Sequence, residues 1–272
     1  MAIARDLNDQ LIAFLNSKGY QPILLPKGGV QPPTVYILDK SRQRYEMHRS
    51  FNSLLPPGVA PLAAALESAP SFDKLQASKQ HGEVSVSFMR GLLEKFGIGG
   101  APRIDALAKA DADASFTFGK VRSRHIAIGT LEDAMAQQPG AFAKSVAQKF
   151  SPDDLDSGLI HVGYEYLYSN AIEMHQGGSV TGELAMSASA GDQAEIKVGA
   201  GAHREDGEGV RYAGREPVAF AFRVAQLQRV DGAFRLRGWQ SEGAGMNATD
   251  AERELYVYRT GQVFEITDAS AA

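Results

Sequence analysis

The sequence contains no cysteine. Disulfide bonds, thiolate catalysis and cysteine-ligated metal sites are therefore excluded. Palmitoylation is excluded as well, because the acyl chain is attached to a cysteine thiol. Packing, hydrogen bonds and charge must hold the folded chain together without covalent cross-links.

The sequence also lacks a long apolar run. No stretch approaches the roughly 20 apolar residues of a membrane-spanning helix. The N-terminal residues have neither the basic region nor the apolar run of a secretory signal, so we expect a chain that starts soluble in the cytoplasm. A membrane-spanning strand needs only about 9–11 residues of weak alternation. Membrane insertion by strands therefore stays open.

A third absence is that of excess positive charge. The chain has 28 basic and 32 acidic residues, a net charge of −4, and no cluster of Lys and Arg that suggests a groove for a phosphate backbone. This balance argues against nucleic acid as a partner. A hydrophobic content of 44% and a charged content of 22% are typical of a globular protein. A length of 272 residues fits one large domain or two small ones.

Sequence motifs of catalysis are missing too. There is no nucleophile elbow, no zinc-protease motif and no paired-carboxylate signature. The glycine-rich residues 97–100 are not followed by the Lys-Ser/Thr of a phosphate loop. His161 and His175 share a predicted strand face with Glu165 and Glu173, but lie too far apart along a strand to bind one metal. We expect no enzyme, no metal site and no cofactor.

What the sequence does contain is long alternation of apolar and polar residues. In residues 160–174 the even positions are mainly apolar or aromatic, and the odd positions include His161 and Glu165. Gly177 and Gly178 offer a reversal, after which the alternation resumes over residues 180–190. This period of two predicts an amphipathic hairpin with one apolar and one polar face.

Two further segments alternate in the same way, at residues 84–90 and 108–118. The second is long enough to cross a bilayer as a tilted strand, although an edge strand of an ordinary sheet explains it equally well. A basic segment follows, formed by Lys120, Arg122, Arg124 and His125. It is either solvated surface or a site for anionic lipid head groups.

Shorter patterns predict the remaining elements. Apolar spacing predicts a helix over residues 5–18 that stops at Gly19. Other helices are predicted near 62–66, over 91–96, 131–138 and 142–150, and from Ser151 onward, where Pro152 suits the first helical position. Additional strands are predicted over residues 20–26, 32–38, 194–198 and 218–224.

The tail after Trp239 differs in composition from the rest. Residues 240–253 are rich in Gly, Ala, Ser and acids, which indicates a flexible, protease-accessible linker. Two short strands about Thr260 then predict a small apolar hairpin that needs a surface to cover. The tail holds six acidic and two basic residues, which is the whole negative excess of the chain. Its loss would ease approach to an anionic membrane.

Two segments of the chain resemble bacterial gasdermins. Residues 11–20 with the apolar residues 23–26 are similar to the opening helix and first strand of that family. Residues 212–227, in which Gly214 and Pro217 precede alternating small and aromatic residues, resemble its last core strand. The resemblance implies an α+β fold, a twisted and mainly antiparallel sheet with surrounding helices and a short C-terminal autoinhibitory segment. It divides the chain into a pore-forming domain (1–239), a cleavable linker (240–254) and an autoinhibitory segment (255–272).

The resemblance also implies a function. A partner protease would cut the linker, and the freed domain would bind membrane lipid, self-associate from a monomer into a large β-barrel pore, and kill the cell, as antiphage defence at the inner membrane. The implied cleavage region contains Gly243, Ala244, Gly245, Met246, Asn247, Asp250 and Arg253. Implied autoinhibitory contacts are Leu255, Val257, Tyr258, Val263, Phe264 and Ile266. Implied lipid head-group contacts are Lys120, Arg122 and Arg124.

Four strands would enter the membrane in this scheme, at residues 84–90, 108–118, 160–174 and 180–190. The side chains expected to face lipid or its interface are Val84, Val86, Phe88, Ala110, Ala112, Ala114, Phe116, Phe118, Ile160, Val162, Tyr164, Tyr166, Tyr168, Ile172, Met174, Val180, Leu184 and Met186. Alternation of this kind gives a barrel one lipid face and one wet lumen.

One feature departs from the family. Bacterial gasdermins commonly carry a palmitoylated cysteine near the N-terminus, whereas this chain has Ala2, Ile3 and Ala4 there. Either this member dispenses with the lipid or the cysteine has been replaced. Two other functions stay open on the residues alone: a soluble β-rich ligand-binding or interaction module, and a hydrolase with a site assembled from scattered residues.

Overall fold

The computed structural model describes residues 15, 18–39, 44–69, 114–176, 186–190, 194–200, 208–241, 256–258 and 265–268. Within these residues thirteen strands form one sheet. In chain order they are β1 (Gln21–Lys27), β2 (Thr34–Asp39), β3 (Arg44–Ser50), β4 (Ala65–Ser68), β5 (Ala114–Gly119), β6 (Arg122–His125), β7 (Ile160–Gln176), β8 (Met186–Ala190), β9 (Ala194–Ala200), β10 (Glu208–Val230), β11 (Ala233–Ser241), β12 (Tyr256–Tyr258) and β13 (Glu265–Asp268). The helices are α1 (Ile128–Gln137), α2 (Pro139–Ala147) and α3 (Pro152–Asp156), with a 3-10 helix at Phe51–Leu54.

Two long antiparallel strands, β7 and β10, form the centre of the sheet. They pair from Gly209 opposite His175 to Gln226 opposite His161. The other edge of β7 pairs in turn with β2, β6 and β5. The other edge of β10 pairs in turn with β11, β1 and β9. Each central strand therefore has hydrogen-bonded neighbours on both edges.

From this centre the sheet continues through β2 and β3 to β13 on one side, and through β11 to β12 on the other. The pairings of β12 with β11 and of β13 with β3 are parallel, and all other pairings among the described residues are antiparallel. A mainly antiparallel sheet with a few helices confirms the predicted fold class.

Two hydrophobic clusters pack on opposite faces of the sheet. Val35 and Tyr36 are neighbours on β2, so their side chains point to opposite faces, and each belongs to a different cluster. The helices cover the Val35 face through Leu131 of α1 and Phe142 of α2. The other cluster is aromatic and lies on the Tyr36 face; its members include Tyr45, Tyr166, Tyr168 and Phe222.

Helix ends follow their sequence signals. Gly19 has φ 78° and the Tyr20 amide donates to the Leu15 carbonyl at 2.8 Å, which confirms the stop at Gly19. Ser151 Oγ accepts the Asp154 amide at 3.1 Å in front of Pro152, which confirms the predicted start of α3. The helices predicted at 131–138 and 142–150 and the strands predicted at 20–26, 32–38, 194–198 and 218–224 are confirmed. The rest of the helix over 5–18, and that over 91–96, lie outside the described residues.

The helix predicted near residues 62–66 is wrong. The side-chain amide of Asn52 donates to the Leu62 carbonyl and accepts the Leu62 amide, both at 2.9 Å. This side chain therefore satisfies both backbone groups of Leu62 from outside, so a helical turn gains nothing there. The chain then runs into β4, which pairs with β6.

The hairpin predicted over residues 160–190 is also wrong. β8 pairs with β9, not with β7. Both edges of β7 are already occupied, by β10 on one side and by β5, β6 and β2 on the other. A strand that follows β7 in the chain must find another partner, and β9 provides it.

Candidate pore-forming strands

Five antiparallel strand segments continue the centre of the sheet as a separate ribbon. We call it the extension ribbon; it consists of residues 114–119, 171–176, 208–214, 194–200 and 186–190, in that spatial order. The pairing in each of its four interfaces runs without a register shift. Regular antiparallel pairing satisfies the backbone groups between neighbouring strands, as a strand in lipid requires.

The predicted membrane strands meet in this ribbon as far as the structure describes them. Ala114, Phe116 and Phe118 lie on β5, Ile172 and Met174 on β7, and Met186 on β8. β5 and β7 are direct neighbours, whereas β10 and β9 separate β7 from β8. Ile160, Val162, Tyr164, Tyr166 and Tyr168 belong to the other half of β7, which lies in the body of the sheet.

Two of the three register shifts between β7 and β10 affect the candidate strands, and the first of them separates the body from the extension ribbon. Ala213 pairs with Ala171 and Val218 with Ser169, so residues 214–217 lie opposite Asn170 alone. Ser169 Oγ donates to the Gly119 carbonyl at 2.8 Å and accepts the Ala171 amide at 3.2 Å. These side-chain bonds replace ladder bonds at the bulge. The ribbon therefore begins at a defined break in the sheet.

The second irregularity reverses the two faces of β7. Val224 pairs with Gly163 and Arg223 with Glu165, so Tyr164 is an extra residue. Val162 consequently packs with the helix-side cluster and Tyr166 with the aromatic cluster, although both occupy even positions. The prediction of one apolar and one polar face on β7 is wrong, because a bulge moves alternate side chains to the opposite face.

The predicted polar face of β7 is largely buried in its body half. His161 and Ser169 are fully buried. The His161 ring lies 5.3 Å from the Tyr45 ring, and its Nδ1 is 3.0 Å from the Leu159 carbonyl. His161 is therefore a buried packing residue that points to the aromatic cluster. His175 and Glu173, which were predicted to share a strand face with His161, lie at the far end of β7 in the extension ribbon.

Glu165 joins residues 18–20 to the central strands. Its carboxylate accepts hydrogen bonds from the Tyr20 hydroxyl at 2.6 Å and from Arg223 at 3.0 Å. Arg223 also donates to the Lys18 carbonyl at 2.6 Å and lies 4.2 Å from the centre of the Tyr20 ring. Burial, followed by the hydrogen bond to Glu165, raises the pKa of Tyr20 above its usual range. The charges are partnered, and they fix residues 18–20 on β7 and β10.

A buried tyrosine pair lies next to this network. The hydroxyls of Tyr36 and Tyr166 are 2.6 Å apart, and Tyr168 donates to the Val30 carbonyl at 2.7 Å. Gly163 makes room for the pair: a Cβ at this position would lie 2.0 Å from the Tyr166 hydroxyl and 2.8 Å from the Tyr36 ring. Tyr166 and Tyr168, which were expected to face lipid or its interface, are thus core residues in this structure.

The basic segment lies where β5 turns into β6. Lys120 occupies the turn with φ 53°, and both Lys120 and Arg122 are exposed. Arg124 instead donates to Gln31 at 2.9 Å, and its guanidinium lies 5.9 Å from the centre of the Tyr168 ring. Two of the three predicted head-group contacts are therefore directly accessible, and the third is partly engaged with the body.

The C-terminal strands lie at the two ends of the sheet. β12 pairs with β11, from Trp239 opposite Tyr256 to Ser241 opposite Tyr258. β13 pairs with β3, from Glu265 opposite Arg44 to Asp268 opposite Met47. The hairpin predicted for this tail is therefore wrong: each strand joins an edge of the large sheet, because a two-stranded ribbon by itself is only marginally stable. Of the predicted autoinhibitory residues, Val257, Tyr258 and Ile266 lie in these strands.

Several predicted residues lie outside the described part of the chain. They are the membrane-strand residues Val84, Val86, Phe88, Ala110, Ala112, Val180 and Leu184, the cleavage-region residues Gly243, Ala244, Gly245, Met246, Asn247, Asp250 and Arg253, and the tail residues Leu255, Val263 and Phe264. Within the described residues, no helix has the length and apolar content needed to span a membrane. No group of three or more His, Asp or Glu in that part of the chain is placed to hold a metal ion.

The sequence model of the Bacterial Gasdermin Family matches residues 23–242. The chain belongs to that family. Its members are generally pore-forming cell-death proteins and not enzymes, and membership implies self-association and contact with membrane lipid. This gasdermin is 24% identical to the gasdermin bGSDM of Piscinibacter sakaiensis over 277 aligned positions that cover 97% of each chain.

Two other proteins agree with this assignment. The gasdermin bGSDM of Lysobacter enzymogenes is 23% identical over 242 positions, or 86% of each chain. The solved structure of a bacterial gasdermin from Bradyrhizobium tropiciagri superposes with a TM-score of 0.53 at 14% identity, over 98% of this chain and all of the other. The likeness to the solved structure supports the fold of the chain as a mainly antiparallel sheet with a few helices.

Sequence reasoning missed the residues that hold the body together. Arg223 gave a signal, since it is a charge inside the apolar run 218–224 and a buried charge needs a partner. Gly163 gave no signal in the sequence, because a glycine within an alternating segment indicates only a weak strand position. Its role depends on Tyr36, which lies far away in the sequence.

Proposed function

We propose that this gasdermin is an autoinhibited pore-forming protein, activated when a protease removes its C-terminal segment. The freed domain then binds lipid, oligomerises in the inner membrane and forms a large β-barrel pore that kills the cell, as a defence against phage. Before cleavage the protein is a cytoplasmic monomer. The placement of β12 and β13 at opposite ends of the sheet carries this proposal.

Those two pairings support autoinhibition through the backbone. Exposed strand edges present unpaired amides and carbonyls, which template pairing with another chain. Among the described residues, residues 44–47 of β3 pair both with β2 and with β13, and β11 pairs with β10 over residues 233–238 and with β12 over residues 239–241. Removal of the tail would therefore open one edge of β3 and the end of β11 to neighbouring copies.

The extension ribbon supports the membrane step. Its regular pairing and its position beyond the bulge at Asn170 suit a segment that rearranges while the body stays folded. Lys120 and Arg122 at the β5–β6 turn are exposed, and each basic side chain near an anionic surface contributes about 1 kcal/mol of binding free energy. Loss of the acidic tail would act in the same direction.

Cleavage of the linker tests the proposal. The recognition sequence of a site-specific protease is inserted after Gly245, and a scrambled recognition sequence gives a matched control. The protease should release a trapped dye from phosphatidylglycerol vesicles with the first protein and not with the second. A cleaved product that stays monomeric and releases no dye would overturn the pore proposal.

Substitutions in the membrane strands sharpen the same test. Ala112→Asp and Leu184→Asp should abolish dye release after cleavage, because a charge on the lipid face of a strand costs about 2–4 kcal/mol. Sequence alternation puts Ser187 on the opposite face from Leu184, so Ser187→Asp is the matched control and should still leak. Wild-type leakage by both of the first two variants would refute the strand assignment.

In cells, expression of residues 1–239 should arrest growth, and the same residues with Leu184→Asp should not.

A further inference from the structure

Strand β9 has a partner on each of its two edges. It pairs with β8 over residues 194–198 and with β10 over all seven of its own residues. In the chain, β8 and β9 lie between β7 and β10. The β8–β9 ladder is therefore a hairpin nested inside the longer hairpin that β7 and β10 form.

The nested ladder and the outer ladder share one register. In the extension ribbon His175 of β7 pairs with Gly209 of β10. In the nested hairpin Met186 of β8 pairs with Val198 of β9. Eleven positions lie between the first residues of these two pairs, and eleven lie between the second residues. The two ladders can therefore join end to end without a bulge, as a single long hairpin.

Joining the ladders requires β9 to leave β10. The β9–β10 pairs follow a different register, which begins with Glu208 opposite Ala200. In the joined hairpin β9 instead continues the line of β10. Residues 177–185 can then pair with residues 199–207, nine positions on each strand, against the seven β9–β10 pairs that are given up. The exchange of partners therefore keeps the backbone hydrogen-bonded, as a lipid environment demands.

The alternation of the sequence stays in phase across the joined hairpin. In the ribbon every pair of both ladders joins two even-numbered or two odd-numbered residues. Near the tip the even positions are apolar, namely Leu184, Met186, Ala188, Ile196 and Val198, and the odd positions are mainly polar, namely Glu183, Ser187, Ser189, Glu195 and Lys197. The five β8–β9 pairs alone are too few to cross a bilayer, which takes about 9–11 residues in each strand. The joined hairpin is long enough.

We propose that the β8–β9 hairpin is the folded-back tip of a membrane hairpin. On activation β9 leaves β10, and the two ladders join in their common register. This inference rests on the proposed pore function, and it adds residues 194–200 of β9 to the strands that enter the membrane. Departure of β9 also frees the edge of β10 at residues 208–214, and such an edge accepts a strand from a second copy. In the folded monomer β9 thus covers an edge that the oligomer uses.

Engineered disulfides test the exchange of partners in a chain that has no cysteine of its own. Glu173, Arg211, Lys197 and Ser187 occupy one row across four strands. Opposite residues of an antiparallel pair have Cα atoms about 4.5–5.5 Å apart, within the range of a disulfide. Oxidised Lys197→Cys with Arg211→Cys holds β9 on β10 and should abolish dye release after linker cleavage, until a reductant restores it.

The two neighbouring pairs of the same row are the matched controls. Ser187→Cys with Lys197→Cys, and Glu173→Cys with Arg211→Cys, link residues that stay paired in the joined hairpin, so both should release dye in the oxidised state. Mass spectrometry confirms that each disulfide has formed. Where the middle pair does not oxidise, Glu195→Cys with Ala213→Cys links β9 to β10 in the same way.

Two results would overturn the proposal and leave the pore function standing. One is normal dye release while β9 is linked to β10. The other is a loss of release in all three oxidised variants, which would show no special role for the β9–β10 pairing. Absence of dye release from the cleaved wild type and from every reduced variant would contradict the pore function itself.

Paired insertions test the common register separately. One alanine inserted after Gly182 creates a bulge in the joined hairpin and moves side chains to the opposite face, so it should reduce dye release, as should one alanine inserted after Gly201. The two insertions lie opposite each other in the common register, so the variant with both should release more dye than either single variant. Circular dichroism checks the fold of all three before cleavage. A double variant that leaks no better than the single ones would refute the common register.

Discussion

Near Gly163 and Glu165 the pairing of β7 with β10 is interrupted by register shifts, whereas from Ala171 to His175 it runs without interruption. The interrupted half lies in the body, where both faces of β7 are buried. There the bulge turns side chains toward two different cores. The uninterrupted half lies in the extension ribbon. The same two strands thus combine a half fixed by specific side-chain contacts with a half defined mainly by regular backbone pairing.

This difference explains how one sheet could change in part and persist in part. Side-chain networks such as that of Glu165 and Arg223 depend on one geometry and are lost when it changes. Regular antiparallel pairing can be kept in a new environment, because it satisfies the backbone without a particular set of side chains. The following predictions test whether the body half is indeed the more specific one.

The largest effect is expected at Gly163. Gly163→Ala places a methyl group 2.0 Å from the Tyr166 hydroxyl and should lower the free energy of unfolding by about 3 kcal/mol, as overpacking of a core does. Urea denaturation measures it. Gly129→Ala is the control, since a Cβ at Gly129 of α1 meets no atom within 4 Å and helix propensity should raise stability by up to about 1 kcal/mol. Equal effects of the two variants would refute the role of Gly163.

The second prediction compares two pairs of oppositely charged residues that lie in register on the same two strands. Glu165 pairs in register with Arg223 in the body, and Glu173 with Arg211 in the ribbon. Arg223→Met should lower the free energy of unfolding by about 2 kcal/mol, since it leaves a largely buried carboxylate without its cation. Arg211→Met should cost about 0.5 kcal/mol, the usual contribution of a cross-strand pair. Denaturation curves showing the larger loss for Arg211→Met would reverse the comparison.

A smaller effect is expected at the tyrosine pair. Tyr36→Phe and Tyr166→Phe each leave one buried hydroxyl without its partner and should cost about 1–2 kcal/mol. The double variant removes both hydroxyls and should cost less than the sum of the single variants. A double-mutant cycle by chemical denaturation gives the coupling. Strict additivity would mean that the 2.6 Å contact between the hydroxyls contributes nothing.

The last prediction concerns the dependence of stability on alkaline pH, and no effect of it is expected at neutral pH. Burial raises the pKa of Tyr36 above the value of 10.0 that it has in the unfolded chain. Its contribution to stability is complete below pH 10 and falls as the pH rises further, because only the unfolded chain then loses the proton. Thermal unfolding should therefore be constant near pH 9 and decline above pH 10, less steeply in Tyr36→Phe. Identical slopes in the two proteins would exclude Tyr36 as the cause.

Sequence patterns predicted the elements of the fold well where local signals determine them. Gly19, Ser151 and Pro152 mark helix ends by backbone conformation and capping, which depend on neighbours in the chain. Apolar and alternating patterns predicted β1, β2, β5, β7, β9 and part of β10, whereas β3, β4, β6 and β11 were not predicted. Leu62 shows the limit, since the side chain of Asn52, ten residues away, determines its conformation.

The same patterns could not predict which strands pair with each other or which face of the sheet each side chain lies on. The hairpin over residues 160–190 required β7 to have a free edge, but β10 occupies one edge and β2, β6 and β5 occupy the other. A period of two cannot reveal a bulge, so the reversal of faces at Tyr164 was invisible. The Glu165 network joins residues 145 positions apart in the case of Tyr20. Such contacts depend on topology and not on local spacing.

The separate placement of β12 and β13 has a consequence for how the tail can be lost. In the proposed scheme, a cut in the linker separates both strands from the domain at once. Stepwise proteolysis from the C-terminus would instead remove β13 first and expose β3, while β12 still pairs with β11. We therefore expect chains shortened to residue 262 and to residue 245 to associate differently. The first exposes only β3 and can accept a new neighbour at one end of the sheet, so it forms pairs but no closed ring.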